Sequence, residues 1–324
     1  CQEISLPTRG YDDMRDLYTD EPHDRSEIAL CSLAAINVAN IKSDEEYARA
    51  AYYALLMIDQ CIHKSEWPFP HLKHTAQARL NAGVGIIGLA HLMAKNKKKY
   101  SSQEGKEFIH EVAETHIWHL LNASLKLGKE LGNAPWINKT KYPDGWLPID
   151  TYNKNVDNAV SPDYKRDWEG LRKAIVANGG IRNSVVGAIM PSEASSVASG
   201  TTNAVYPVRD LTLIKTDNNR TTYWAAPDGD KIGDWYELAW DVPTKDMIDV
   251  YAILQKFFDQ GISADLYRRI GKGEMITSKE MIQDYLYMTK MGLKSRYYQN
   301  SKTSEGTDIN SSEGAGCESG ACTL

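Results

Sequence analysis

At 324 residues, 42% of them hydrophobic, the chain is long enough to bury a substantial core as one large domain or two ordinary ones. Its net charge of −6 works against a nucleic-acid surface, which needs clustered Lys and Arg. No apolar run of about eighteen residues and no charged-then-apolar leader is found, so the reading includes neither a membrane span nor a signal peptide and places the chain in the cytoplasm. Five cysteines are too few for a disulfide scaffold, and the odd number fits a reducing compartment.

In chain order, "CQEISLPTRG" opens on Cys1 rather than Met and reads as mid-protein, so an upstream segment is expected. Residues 44–64 follow Ser43 as an N-cap and repeat apolar residues at helical spacing, which predicts a helix; Cys61, on its apolar stretch, reads as a small core residue. "GVGIIG" (83–88) reads as a short strand leading into the helix "LAHLMAK", with "KNKKKY" (95–100) a solvated helix end. A long helix is predicted from about 102 to 131, stopped by Gly132. Shorter helices are expected at 165–177, 244–259 and 278–290, and strands at 184–190 and 206–215. Strands alternating with helices predict an α/β architecture with parallel pairing. After Asn300 apolar residues nearly vanish, so 1–300 is expected to fold and 301–324 to form a flexible tail.

Several stretches carry candidate chemistry. "GVGIIG" matches the dinucleotide fingerprint, but "HTAQARLNA" ahead of it is not an apolar strand, and glycines that permit close packing are the simpler reading. "SVVGAIMPSEASSVASGTTN" runs an apolar strand through Pro191 into a hydroxyl-rich helix start, where Ser192, Ser195 and Ser196 join backbone N–H groups suited to phosphate. Ordinary capping explains the same residues, and Glu193 would have to point away from a phosphate. The eight histidines form no metal set: His63, His71, His74 and His91 are scattered, and His110, His116 and His119 lie along one helix, so core or solvated roles are expected. "CQE" sets Cys1 and Glu3 on alternate residues, a pairing of a radical or nucleophilic sulfur with a base if the chain is extended. "KSRYYQN" places Tyr297 and Tyr298 side by side, and aromatic packing is the ordinary reading. Cys317 and Cys322 lie among Gly, Ser and Glu at the chain end, where nothing can pack around them.

Taken in order, "CQEISLPT", "EIALCSLAAINV", "AGVGIIGLAHLMAK", "LPIDTY", "GGIRNSVVGAIMPSEASS", "YYQN" and "CESGAC" span nearly the whole chain. The set resembles the C-terminal half of the large, catalytic subunit of class I ribonucleotide reductase. The resemblance implies the C-terminal half of a ten-stranded α/β barrel with a disordered tail, and radical-based reduction of ribonucleoside diphosphates to deoxyribonucleoside diphosphates. It implies that Cys1 becomes the thiyl radical that abstracts hydrogen from C3′ of the ribose. Glu3 would take the 3′-hydroxyl proton as the 2′-hydroxyl leaves as water. Cys31 would be one of two cysteines that supply electrons and end as a disulfide, and Tyr297 and Tyr298 would relay the radical. Pro191, Ser192, Glu193, Ala194 and Ser195 would hold the substrate diphosphate, and Cys317 and Cys322 would form a mobile dithiol that re-reduces the buried disulfide.

The same resemblance implies partners. The N-terminal part of the large subunit would carry the nucleotide-effector sites and the second redox cysteine; a small subunit would carry the metal and radical; thioredoxin or glutaredoxin would be the reductant. No metal or cofactor is expected on this chain. The family's asparagine two residues before the radical cysteine has no counterpart ahead of Cys1, and half of the barrel and the second redox cysteine would also lie upstream, so the chain is expected to be inactive alone. A split gene, proteolysis, protein splicing with Cys1 as its nucleophile, or an arbitrary boundary would each give this start. Two rival classes are a folded fragment acting only as a binding or structural module, and a nicotinamide-dependent dehydrogenase built on "GVGIIG".

Overall fold

The elements, in chain order, are β1 (Ser32–Asn37), α1 (Asp44–Lys64), α2 (Pro70–Arg79), β2 (Ala82–Ile87), α3 (Leu89–Lys95), α4 (Gln103–Leu131), α5 (Trp168–Ala177), α6 (Glu193–Ala198), β3 (Thr212–Asp217), β4 (Arg220–Ala225), α7 (Gly229–Ile232), α8 (Thr244–Gln255), β5 (Leu266–Ile270), α9 (Ser278–Lys290) and β6 (Gln299–Thr303). They come from a computed structural model that describes residues 1–303 except 20, 162, 218–219 and 272–273. Cys317 and Cys322 lie outside the described residues.

Local capping sets the helix starts. The Ser43 hydroxyl accepts from Glu46 N at 3.2 Å and the Ser102 hydroxyl from Gly105 N at 3.0 Å, fixing α1 and α4 where their sequences predict. Gly132 ends α4 at φ +86°, a conformation glycine adopts freely. α5 begins at Trp168 rather than 165, because the N–H groups of Lys165 and Arg166 donate to the Glu114 carboxylate and Asp167 caps the helix at Gly170. α1 buries Tyr47, Ala51, Leu55, Ile58 and Ile62 toward α4. Cys61 lies off that stripe and is exposed, which corrects its expected place in the core.

β1 pairs with β2 and β5 with β6, both parallel, while β3 and β4 form an antiparallel hairpin. The strand expected over 206–215 starts only at Thr212, and Val208 makes an isolated bridge to Leu238 instead, accepting from Ala239 N at 2.8 Å. Residues 184–190 are not a regular strand. They run beside β2, accepting from Ala82 N and Val84 N at Val185 O and Val186 O, and Ile189 bridges to Ile262. Their own Val186 and Gly187 N–H groups donate instead to the Asp259 carboxylate, at 2.8 and 2.9 Å. Backbone bonds therefore link β1, β2, 184–190, 260–270 and 297–303 side by side. The architecture is mixed α/β, and among the described residues it does not close into a barrel. Ser301–Thr303, expected in the tail, belong to β6 and pair with Arg268–Ile270.

Most of the core is one large cluster in which Leu55, Ile86, Leu89, Ile117, Tyr251 and Phe257 are fully enclosed, each side chain contributing about 1.5–3 kcal/mol by burial, and Ala239, Trp240 and Tyr267 form a small second one. No described helix is long and apolar enough to cross a membrane.

Candidate active site

Residues 259–265, directly after α8, touch three of the regions that carry candidate chemistry. Glu3 is 1% exposed; its Oε2 accepts from the Ser263 hydroxyl, and its carbonyl accepts from Gly261 N at 2.7 Å. Gln2 N donates to Ser263 Oγ at 2.9 Å, so the first residues are pinned to this segment, with Cys1 exposed at their end. Gly261 is needed for the approach: a Cβ there would lie 2.9 Å from the Glu3 carbonyl oxygen.

Cys31, just before β1, accepts at Sγ from Gln260 Nε2 at 3.2 Å; the same nitrogen lies 3.2 Å from Ala82 O. Burial pushes the Cys31 thiol up to about 12, with the charges of Asp259 and Glu3 adding to the shift and the Gln260 hydrogen bond opposing it. Cys31 is therefore a neutral thiol at physiological pH.

At the end of the segment, Ala264 O accepts from Tyr297 N at 2.9 Å and Asp265 Oδ1 from Tyr298 N at 3.1 Å. The two tyrosine rings sit 3.9 Å apart between centroids and are tilted by 42° rather than parallel. Residues 191–195 continue from the 184–190 run that bridges to Ile262. Ser192 takes φ +53° ahead of the short α6, and the hydroxyls of Ser192, Ser196 and Thr201 are buried without a hydrogen-bond partner among the described residues.

The other candidates resolve differently. Gly83 and Gly85 of "GVGIIG" face neighbouring chain: a Cβ on Gly85 would lie 2.8 Å from Ala188 O, and one on Gly83 3.1 Å from Cys31 Sγ. The N–H groups at the start of α3 are already taken, Gly88 N by Thr202 O, Leu89 N by Ala204 O and His91 N by the Thr202 hydroxyl. Three of the N–H groups that a pyrophosphate would need are thus occupied and the glycines are filled by neighbouring chain, which argues against the dehydrogenase reading. His116 is buried between the Tyr47 hydroxyl and Val84 O, at 2.8 and 3.0 Å, and His119 meets Asp44 at 3.0 Å, so both are structural.

Asp259, Gln260, Ser263 and Asp265 were not legible as site residues. The helix expected to run to 259 absorbed the first of them, and the signal that remained was "DQGISAD", polar groups crowded behind a strongly apolar helix.

Residues 1–229 and 215–299 match the family described as "Ribonucleotide reductase, barrel domain". The ribonucleoside-diphosphate reductase subunit alpha of Haemophilus influenzae is 36% identical over 328 aligned positions, covering all of this chain and 42% of the relative. Ribonucleoside-diphosphate reductase 1 subunit alpha of Escherichia coli is 38% identical over 269 positions, 80% of this chain and 35% of the relative. The subunit alpha of Enterobacteria phage T4 is 31% identical over 316 positions, 95% of this chain and 40% of the relative. The chain thus spans about two fifths of the length of these curated relatives. With a match running through nearly every described residue, including the segment that gathers Glu3, Cys31 and the tyrosine pair, the chain belongs to the ribonucleotide reductase barrel-domain family.

Proposed function

We propose that this chain supplies catalytic residues of a ribonucleoside-diphosphate reductase and acts with the N-terminal part of the large subunit and a radical-generating small subunit. The observation that carries this reading is the single segment 259–265, which holds Glu3 through Gly261 and Ser263, Cys31 through Gln260, and Tyr298 through Asp265.

In the overall reaction a C2′–OH becomes C2′–H, water leaves, and two thiols close to a disulfide, so two electrons and two hydrogens pass from sulfur to substrate. Cys1, as a thiyl radical, takes the C3′ hydrogen and later returns it. Glu3, oriented by Ser263, accepts the 3′-hydroxyl proton. Cys31, held protonated by its burial, brings a hydrogen as well as an electron to the reduction, and its disulfide partner lies on the N-terminal part. Tyr297 and Tyr298, in ring contact, pass the radical between the small subunit and Cys1. Residues 191–195 hold the diphosphate, with the buried hydroxyls of Ser192 and Ser196 as donors for it. Cys317 and Cys322 exchange with the buried disulfide and take electrons from thioredoxin or glutaredoxin. Metal, radical generation and effector binding belong to the partners.

Deoxyribonucleoside diphosphate formation is the test. The chain alone, or with only the small subunit, gives no product, and adding the N-terminal polypeptide gives turnover. In that complemented enzyme Tyr298→Phe removes the phenol that must lose a proton and an electron, so turnover falls to background while circular dichroism is unchanged. Product without the N-terminal polypeptide, or parental turnover in Tyr298→Phe, overturns the reading.

A further inference from the structure

Asp265 is a buried carboxylate surrounded by donors. Oδ1 accepts from Tyr298 N at 3.1 Å; Oδ2 faces the Tyr267 hydroxyl at 3.2 Å and Asn300 Nδ2 at 3.4 Å. Asn300 also reaches Leu266 O at 3.2 Å, and its Oδ1 accepts from Arg209 at 3.0 Å, so a fixed positive charge lies one residue beyond the carboxylate. From α8 the Tyr251 hydroxyl donates to the Asp265 carbonyl at 2.7 Å, and Tyr206 packs nearby with its hydroxyl on Ser263 O. The titratable and charged groups facing Asp265 are thus Arg209, Tyr206, Tyr251, Tyr267 and the tyrosine pair itself.

Resting on the function proposed above, we propose that Asp265 is a positioning residue of the radical relay: its carboxylate fixes the Tyr298 backbone, and with it the contact of the two tyrosine rings, only while it is unprotonated. The reason is the count of donors. A proton on Oδ2 would face the Tyr267 hydroxyl and the Asn300 amide, both already donating there, so one of them must turn away and the Asn300–Arg209 link loosens. Burial pushes this carboxyl up to about 6, while Tyr298 N, Arg209, Tyr267 and Asn300 pull it down, so the exchange falls within reach of ordinary assay pH.

The test uses the complemented enzyme with both subunits, its turnover followed from pH 5.5 to 8. The parent loses rate as pH falls through about 6, approaching tenfold per unit. Asp265→Asn sets an amide NH2 against the same donors and so stands in for the protonated carboxyl: its rate at pH 7.5 falls at least about tenfold and shows no acidic limb. Tyr267→Phe removes one donor to the charged form and moves the limb to higher pH. A parental limb in both variants overturns the proposal; if Asp265→Asn does not fold, an unmoved limb in Tyr267→Phe alone does so. Tyr298→Phe is run alongside. If it is active, the relay reading fails whatever Asp265 does; if it is inactive while the acidic limb is unmoved, only the Asp265 proposal fails.

Discussion

At the level of single residues, Cys31 and Cys61 make a pair of opposites. Cys61 projects from α1 into solvent, whereas Cys31 is pushed up to about 12 by burial and by the nearby carboxylates. Alkylation needs an accessible thiolate: at pH 8 a thiol held near 12 is about one part in ten thousand ionised, and Cys61 by contrast is exposed to the reagent. Iodoacetamide at pH 8, followed by mass spectrometry, should therefore label Cys61 at least about a hundredfold faster than Cys31. Equal rates would show that the pocket around Cys31 is open and its thiol ordinary. Residues inside a motif were legible in the sequence for the same reason that those around them were not. Cys1, Glu3, Cys31 and the tyrosine pair stand in recognisable local strings, but Gln260 and Ser263 matter only through partners 229 and 260 residues away, and no local pattern encodes that.

At the level of elements, what could be read was whatever the neighbouring residues decide. α1, α4 and α9 announce themselves through Ser43, Ser102 and Thr277 caps and an apolar stripe. The 184–190 run looked like a strand, but two of its N–H groups are taken by a side-chain carboxylate instead of a ladder, a tertiary fact invisible in "SVVGAIM". "GVGIIG" shows the reverse case, a motif whose glycines serve packing. Gly85→Ala tests this: its new Cβ would press on the Ala188 carbonyl and the Met190 sulfur at 2.8 and 2.9 Å, both in the enclosed interior. The neighbouring backbone cannot yield as a surface side chain would, so the cost should be about 1–3 kcal/mol and a loss of several degrees in Tm. A thermal melt matching the parent would mean that the two runs are not in close contact.

At the level of the whole molecule, buried histidines set a pH signature. Burial holds His116 down to about 4, while Tyr47 and Val84 O keep its ring in place. Because its folded value lies below the ordinary 6.5, the unfolded chain takes up a proton that the folded chain refuses between those limits. Its contribution to stability is complete above pH 6.5 and is lost as pH falls toward 4. Other buried groups titrate in the same range, so the clean readout is a difference. In His116→Gln the slope of unfolding free energy against pH between 4 and 6.5 should be shallower than in the parent by up to about 1.4 kcal/mol per pH unit. Parallel slopes in urea titrations across that range would mean His116 is protonated in the fold.

The shared segment after α8 also has a consequence for descent. Glu3, Cys31 and Tyr298 each rest on a different residue of one short stretch of backbone, so none of the three can drift on its own. A change at Gln260 that refits the thiol shifts the chain on which the carboxylate depends one residue later, and a viable replacement must arrive with its compensations. The stretch should be inherited as a block, while the β3–β4 hairpin, whose ladder is satisfied within itself, is free to vary one position at a time.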